Sequence, residues 1–296
     1  MSISKVQATL NGQTYTLTYN SSTGAYEGTL TAPTKSSHSQ SGGFYAMSVT
    51  AYDDAGNYAT VNSSDATFGN NLKLVVKEKV APTITIGNPT DGATLINNKP
   101  TISWTVADAD SGINKDSIKL FIDGTEVGGT ISASGTDASY TCSYIPTTAL
   151  TDGSHTFKYT VSDNDGNKAE KSITVKVDTV APTLNITSPE DNTKTNVATI
   201  TVSGKTNDAT SSPVTLTVND SVVSVGVDGS FSTTVNLEQG SNTIKIVATD
   251  GAGQKTTATR TVFYDGSAPV FNSISITPNP CDAGATFLIS VKVEDE

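Results

Sequence analysis

Histidine, cysteine and tryptophan are nearly missing from this chain: there are two, two and one in 296 residues. With only His38 and His155 available, a Ser-His-Asp or Cys-His arrangement would need partners from distant loops, so nucleophilic enzyme chemistry is not expected. Cys142 and Cys281 are too few for a disulfide framework and fall in different modules, so both read as small buried apolar residues. Positive charge is scarce as well. Eighteen Lys and Arg against 29 Asp and Glu give a formal net charge of −11, which supplies no basic face for nucleic acid. No run reaches the ~18 apolar residues of a membrane span. The opening Met1-Ser2-Ile3-Ser4-Lys5 runs straight into a strand pattern without a secretory leader, so a longer precursor or another exit route is expected.

What the chain does have is repetition. Lys79-Val80-Ala81-Pro82, Thr179-Val180-Ala181-Pro182 and Gly266-Ser267-Ala268-Pro269 share one punctuation, with the prolines spaced 100 and then 87 residues apart. That period suits whole β-sandwich domains in tandem, each proline opening an edge strand where its missing N–H costs nothing. Between the punctuation marks, apolar and polar residues alternate over short runs, as in strands with one face buried. Ile102, Trp104 and Val106 form one such run, and Trp104 is in phase to anchor the core. Ala198, Ile200 and Val202 form its counterpart one module later. Seven strands are expected in each module.

These boundaries divide the chain into residues 1–79, 80–179, 180–266 and 267–296. The middle two segments read as complete. The first starts at what is the third strand of the others, and the last stops after two strands. Its turn Asn279-Pro280-Cys281-Asp282-Ala283-Gly284-Ala285-Thr286 echoes Asn88-Pro89-Thr90-Asp91-Gly92-Ala93-Thr94. The two ends therefore read as complementary halves of one domain. In the terminal segment Ile274, Ile276, Phe287, Ile289, Val291 and Val293 stand in phase, and burying them against residues 1–79 of another copy would join chains head to tail, as a filament or a ring. A different protein supplying each half, or an excerpt with awkward boundaries, remains open beside this reading.

The Ala-Pro linkers, the Asp-x-x-Gly-Asn turns and the ending Ile276-Thr277-Pro278-Asn279-Pro280 together resemble bacterial immunoglobulin-like repeats, with a closing segment similar to phage and prophage tail-associated proteins of Gram-positive bacteria. The resemblance implies an all-β rod of tandem Ig-like sandwiches used for display, spacing and adhesion, on a virion or outside the cell. Expected partners are further copies of the chain, other tail or surface proteins, and surface glycans stacked on Tyr45 or Tyr52. A cell-surface adhesin and accessory modules of a surface enzyme are the alternatives.

No cofactor is expected apart from calcium. Turn residues Asp163 and Asp165 could approach linker residue Asp178, and Asp250 could pair with Asp265, offering the oxygen ligands that a hard cation takes. Asp108-Ala109-Asp110 is a further loop candidate. The first junction carries Glu78 and Lys79 where the second has Asp178 and Thr179, so the site is not expected to recur. The resemblance adds weight, since some bacterial Ig-like arrays stiffen their linkers with calcium. Turn capping is the simpler use of these aspartates.

Overall fold

A computed structural model describes residues 2–295. Met1 and Glu296, the outer bounds of the first and last segments, lie outside the described residues. The chain forms two compact units, Met1–Val177 and Asp178–Glu296. Apart from short 3-10 turns, every regular element is a strand.

The first unit opens with a single sheet in the order Ala25–Glu27, Gln13–Asn20, Ile3–Leu10, Tyr45–Asp53 and Tyr58–Asn62, with Lys73–Leu74 against the start of Tyr45–Asp53. Asn11 and Gly12 both have positive φ, which lets their two-residue turn follow the twist of the hairpin it closes. Val6, Ala8 and Leu10 point to one buried face, where Tyr45 joins them. Tyr19, by contrast, is exposed. Its cross-strand partner Tyr26 packs on it at 5.3 Å, on the face that Leu17 shares with Val6, so alternation places Tyr19 on the buried side but nothing there covers it.

The rest of this unit is a two-sheet sandwich. One sheet runs Thr125–Glu126, Lys119–Ile122, Gly153–Ser162, Lys168–Val177, Thr94–Leu95; the other runs Ser132–Thr136, Ser139–Tyr144, Ile102–Ala107, Thr83–Asn88. Between them, Ile102, Trp104 and Val106 face Leu120, Phe157, Tyr159, Ile173 and Val175. The Trp104 and Tyr159 rings meet at 5.1 Å in a tilted pair, the geometry that aromatic quadrupoles favour. Burying side chains of this size stabilises the module by about 1.5–3 kcal/mol each.

In the second unit, the sandwich repeats the plan with Thr183–Ser188, Thr199–Asn207 and Ser230–Asn236 in one sheet, and Thr193–Thr195, Lys255–Tyr264, Gly240–Thr249, Thr215–Val218 and Ser221–Val223 in the other. Its core joins Val202, Leu216, Ile244, Ile246, Ala248 and Val262. The two sandwiches thus have nine and eight strands, more than the seven expected. Part of the excess arises because the first strand changes sheets. After Pro89 and Pro189, which cannot donate to a ladder, the chain crosses over. It resumes as Thr94–Leu95 parallel to Lys176–Val177, or as Thr193–Thr195 parallel to Val262–Tyr264. Asp91 and Asp191 fix the crossing by accepting the N–H of Thr174 and Thr261 at 2.8 and 2.7 Å.

Val270–Thr277 and Leu288–Glu294 close the chain as a hairpin that pairs only with itself among the described residues. Its register sets Phe271 opposite Val293, Ile274 opposite Val291 and Ile276 opposite Ile289. Directly opposite residues share a face, so these six form one apolar side, with Ser273, Lys292, Ser275 and Ser290 on the other. Ile274 is 61 % exposed and Ile289 57 %. Phe287 lies just before the second strand and is exposed too. Cys281, in the connecting loop, is also exposed, which corrects its reading as a buried residue; Cys142 is buried, and burial pushes its thiol up to about 11.

Candidate metal centre

One turn recurs three times. In Asp53-Asp54-Ala55-Gly56-Asn57 the first carboxylate accepts the N–H groups of Ala55 and Asn57, and the Asp53 N–H donates to the Asn57 carbonyl. Asp163 repeats this toward Asn167, and Asp250 repeats it toward Ala252 and Gln254. Such side-chain-to-backbone bonds are what favour aspartate at the head of a turn. At Asp53 and Asp163 the second carboxylate oxygen accepts the side-chain N–H of Asn57 and Asn167, whereas at Asp250, with Gln254 in that place, it has no partner.

In each sandwich two further acidic residues reach this turn. Within the first unit, Glu78, Asp108 and Asp163 bring one carboxylate oxygen each within 4.8 Å of one another; within the second, Asp178, Asp208 and Asp250 do the same. Asp108 and Asp208 head equivalent loops, Asp108 accepting from Asp110 and Gly112 N–H and Asp208 from Thr210 and Ser211 N–H. Glu78 and Asp178 come from the linker segments that lead into each sandwich. Sequence reasoning named Asp163, Asp178, Asp250 and Asp108 but missed Asp208 and set Glu78 aside. The signal was present: Glu78 to Asp108 and Asp178 to Asp208 are both 30 residues.

The pairings expected from sequence differ from those the fold makes. Asp163 joins Glu78 and Asp108, while Asp178 joins Asp208 and Asp250. Asp250 and Asp265 lie at opposite ends of one long hairpin, since Thr249 pairs with Lys255 and Gly240 with Tyr264. At about 3.4 Å per residue, ten residues of strand separate those ends. Asp265 instead accepts from Gln239 and Ser267. Asp165 accepts the Glu78 N–H at 2.9 Å and so braces the linker.

The two trios differ in electrostatics. In the first, burial pushes the Glu78 carboxyl up, outweighing the Val80 N–H that it accepts, and its hydrogen bond with Asp163 pushes the same way. Burial also acts on Asp163, but the Asn167 side chain and backbone hold it below the ordinary carboxylate range. The Ser111 hydroxyl also donates to the Glu78 carboxyl, at 3.0 Å. In the second trio, Asp178, Asp208 and Asp250 are all more than nine-tenths buried. Asp178 Oδ2, Asp250 Oδ2 and the neighbouring Ser211 Oγ have no hydrogen-bond partner. Among the described residues no Lys, Arg or His forms an ion pair with them.

Elsewhere the polar groups are spent on structure. His155 bonds to Asp123 and to the Thr151 carbonyl, both at 2.7 Å. Tyr45, read as a possible sugar platform, is buried with its hydroxyl on the Lys35 carbonyl; Tyr52 lies beside Tyr58 and under the Lys5 ammonium. A shallow depression lined by Ser117, Lys119, Ser162, Lys168 and Glu170 joins two serines to charged side chains, with no histidine or cysteine in its lining.

Residues 82–158 match the family described as bacterial Ig domain, and residues 182–265 match glucodextranase, domain B. Over 113 residues, 38 % of the chain, the sequence is 36 % identical to Bacillopeptidase F of Bacillus subtilis (strain 168). The chain spans only 8 % of the length of that protein. Fibronectin(III)-like modules of Clostridium thermocellum CbhA align over 62 % of this chain and 94 % of theirs, at 20 % identity and a TM-score of 0.36. The titin I-band fragment I67–I69 aligns over 88 % of both chains at 12 % identity and a TM-score of 0.46. Residues 82–158 carry the bacterial Ig domain match and the neighbouring sandwich repeats the same strand plan, so the chain holds immunoglobulin-like sandwiches in tandem.

Proposed function

We propose that the chain is a non-catalytic structural and display segment of an extracellular or virion fibre, and that copies join head to tail by strand addition. The terminal hairpin carries this reading. It is built like the pair Thr83–Asn88 and Ile102–Ala107 that opens a complete module, antiparallel with one bulge, yet its apolar face is exposed. Covering six such side chains would contribute roughly 10 kcal/mol at about 1.5–3 kcal/mol each. The opening sheet of residues 3–74 is the complementary object, a single sheet with no second sheet packed on it among the described residues. Its fit to the hairpin of another copy makes a heterologous contact, which grows into a filament or closes into a ring.

Light scattering of the full chain across concentration tests this, beside a chain ending at residue 268. Mass that grows with concentration and collapses on truncation is the expected result. A constant monomer mass for both chains rejects it. That outcome favours accessory modules of a larger enzyme, a reading supported by the names of two matches, a domain of a glucodextranase and a stretch of Bacillopeptidase F.

A further inference from the structure

We infer that Asp178, Asp208 and Asp250 form a calcium site at the head of the second sandwich. The inference is independent of how copies assemble. Three observations converge on it. Three buried carboxylates from a linker, a loop and a turn bring oxygens within 4.8 Å of one another, a span that calcium–oxygen distances of about 2.3–2.6 Å bridge. Two of those carboxylates keep an oxygen without a hydrogen-bond partner, as does Ser211 Oγ beside them. Among the described residues no basic side chain forms an ion pair with them to supply the missing charge. Buried carboxylates left in this state are costly unless they are paired or coordinate a metal.

The donor set selects the metal. All the free atoms are oxygens, which excludes a thiolate- or imidazole-seeking ion. Magnesium demands near-ideal octahedral geometry and keeps most of its water, whereas calcium accepts irregular sets of six to eight oxygens. Asp208 and Asp250 are held by backbone N–H groups through Oδ1 alone, so the turns hold their carboxylates in place before an ion arrives. The first trio is the internal contrast. There Ser111 donates to Glu78 and the Asn167 side chain donates to Asp163 Oδ2, so groups of the chain itself meet the kind of oxygens that the second trio leaves without partners.

Calorimetric titration of the full chain, stripped with chelator, with calcium chloride tests the site, together with thermal melts in calcium, magnesium or chelator at 0.15 M salt. One calcium per chain is expected, with one melting midpoint rising by roughly 5–15 °C and a much smaller rise in magnesium. Asp178→Asn and Asp250→Asn should each abolish the heat and the shift. Asp178→Asn should melt in chelator no lower than the parent, because one of three mutually repelling carboxylates is gone; Asp250→Asn gives a second reading should either variant lose structure. Absence of heat and shift in the parent overturns the site. So do an equal response to magnesium and a response that persists in a folded Asp178→Asn or Asp250→Asn chain.

Discussion

Trp104 and Tyr159 fill the centre of the first sandwich, yet neither the indole N–H nor the phenol O–H finds a partner there. An unmet buried hydroxyl costs about 1–3 kcal/mol. Tyr159→Phe keeps the ring contact and removes the cost, so it should leave denaturant stability unchanged or raise it by up to about 1 kcal/mol. Trp104→Ala should cost about 3–5 kcal/mol. His155 makes the stability pH-dependent. Burial works against its charge, but the Thr151 carbonyl and Asp123 outweigh it, and the ring is held above its ordinary 6.5. A raised histidine stabilises fully below its unfolded value and loses that contribution as pH rises through the folded one. Melts from pH 6 to 8.5 should therefore fall at the alkaline end, and His155→Gln should flatten that slope. Trp104 was legible in the sequence because it stands in phase with Ile102 and Val106. Tyr19, Tyr45 and Cys281 were not: phase says which residues share a side, and only the packing of loops and neighbouring sheets says whether that side is covered.

Strands of six to ten residues were readable from alternation, whereas Thr94–Leu95, Thr125–Glu126, Thr193–Thr195 and Ser221–Val223 are too short to have a period. The recurrent aspartate turn could be read directly, and its hydrogen bonds bear that out at Asp53, Asp163 and Asp250. The trios built on it were only half legible. Asp208 sits in a loop with no pattern of its own, and the longer Glu78 looked like a break in the repeat although its extra methylene serves the same place. A tighter constraint sits at Gly204, within Thr199–Asn207. A Cβ there would lie 2.1 Å from the Asn185 carbonyl oxygen and 2.8 Å from the Phe231 ring, on the stretch where the facing strand bulges between Ile186 and Ser188. Gly204→Ala should therefore lower the stability of the second sandwich by about 1–3 kcal/mol, read as a drop in one melting midpoint with the other unmoved.

At the scale of the whole chain, the 100-residue spacing was the clearest signal, because a domain-sized repeat leaves few other architectures. Two compact units with separate cores should unfold in more than one step. Calorimetry should resolve at least two transitions, with Trp104→Ala lowering one and Gly204→Ala another; a single transition shifted by both variants would refute that independence. The sheet change in the first strand bears on how such a chain carries load. In each sandwich a short segment from the start of the module runs parallel to its last strand, two residue pairs long at Thr94–Leu95 and three at Thr193–Thr195. A pull on the two ends of a module draws these parallel segments in opposite directions along their length, so their hydrogen bonds shear together and do not peel one at a time. Forced unfolding is a matter of barrier height, and the longer clamp gives the second sandwich the higher barrier. Under tension the first sandwich yields before it, and the chain lengthens in steps while its second sandwich is still intact.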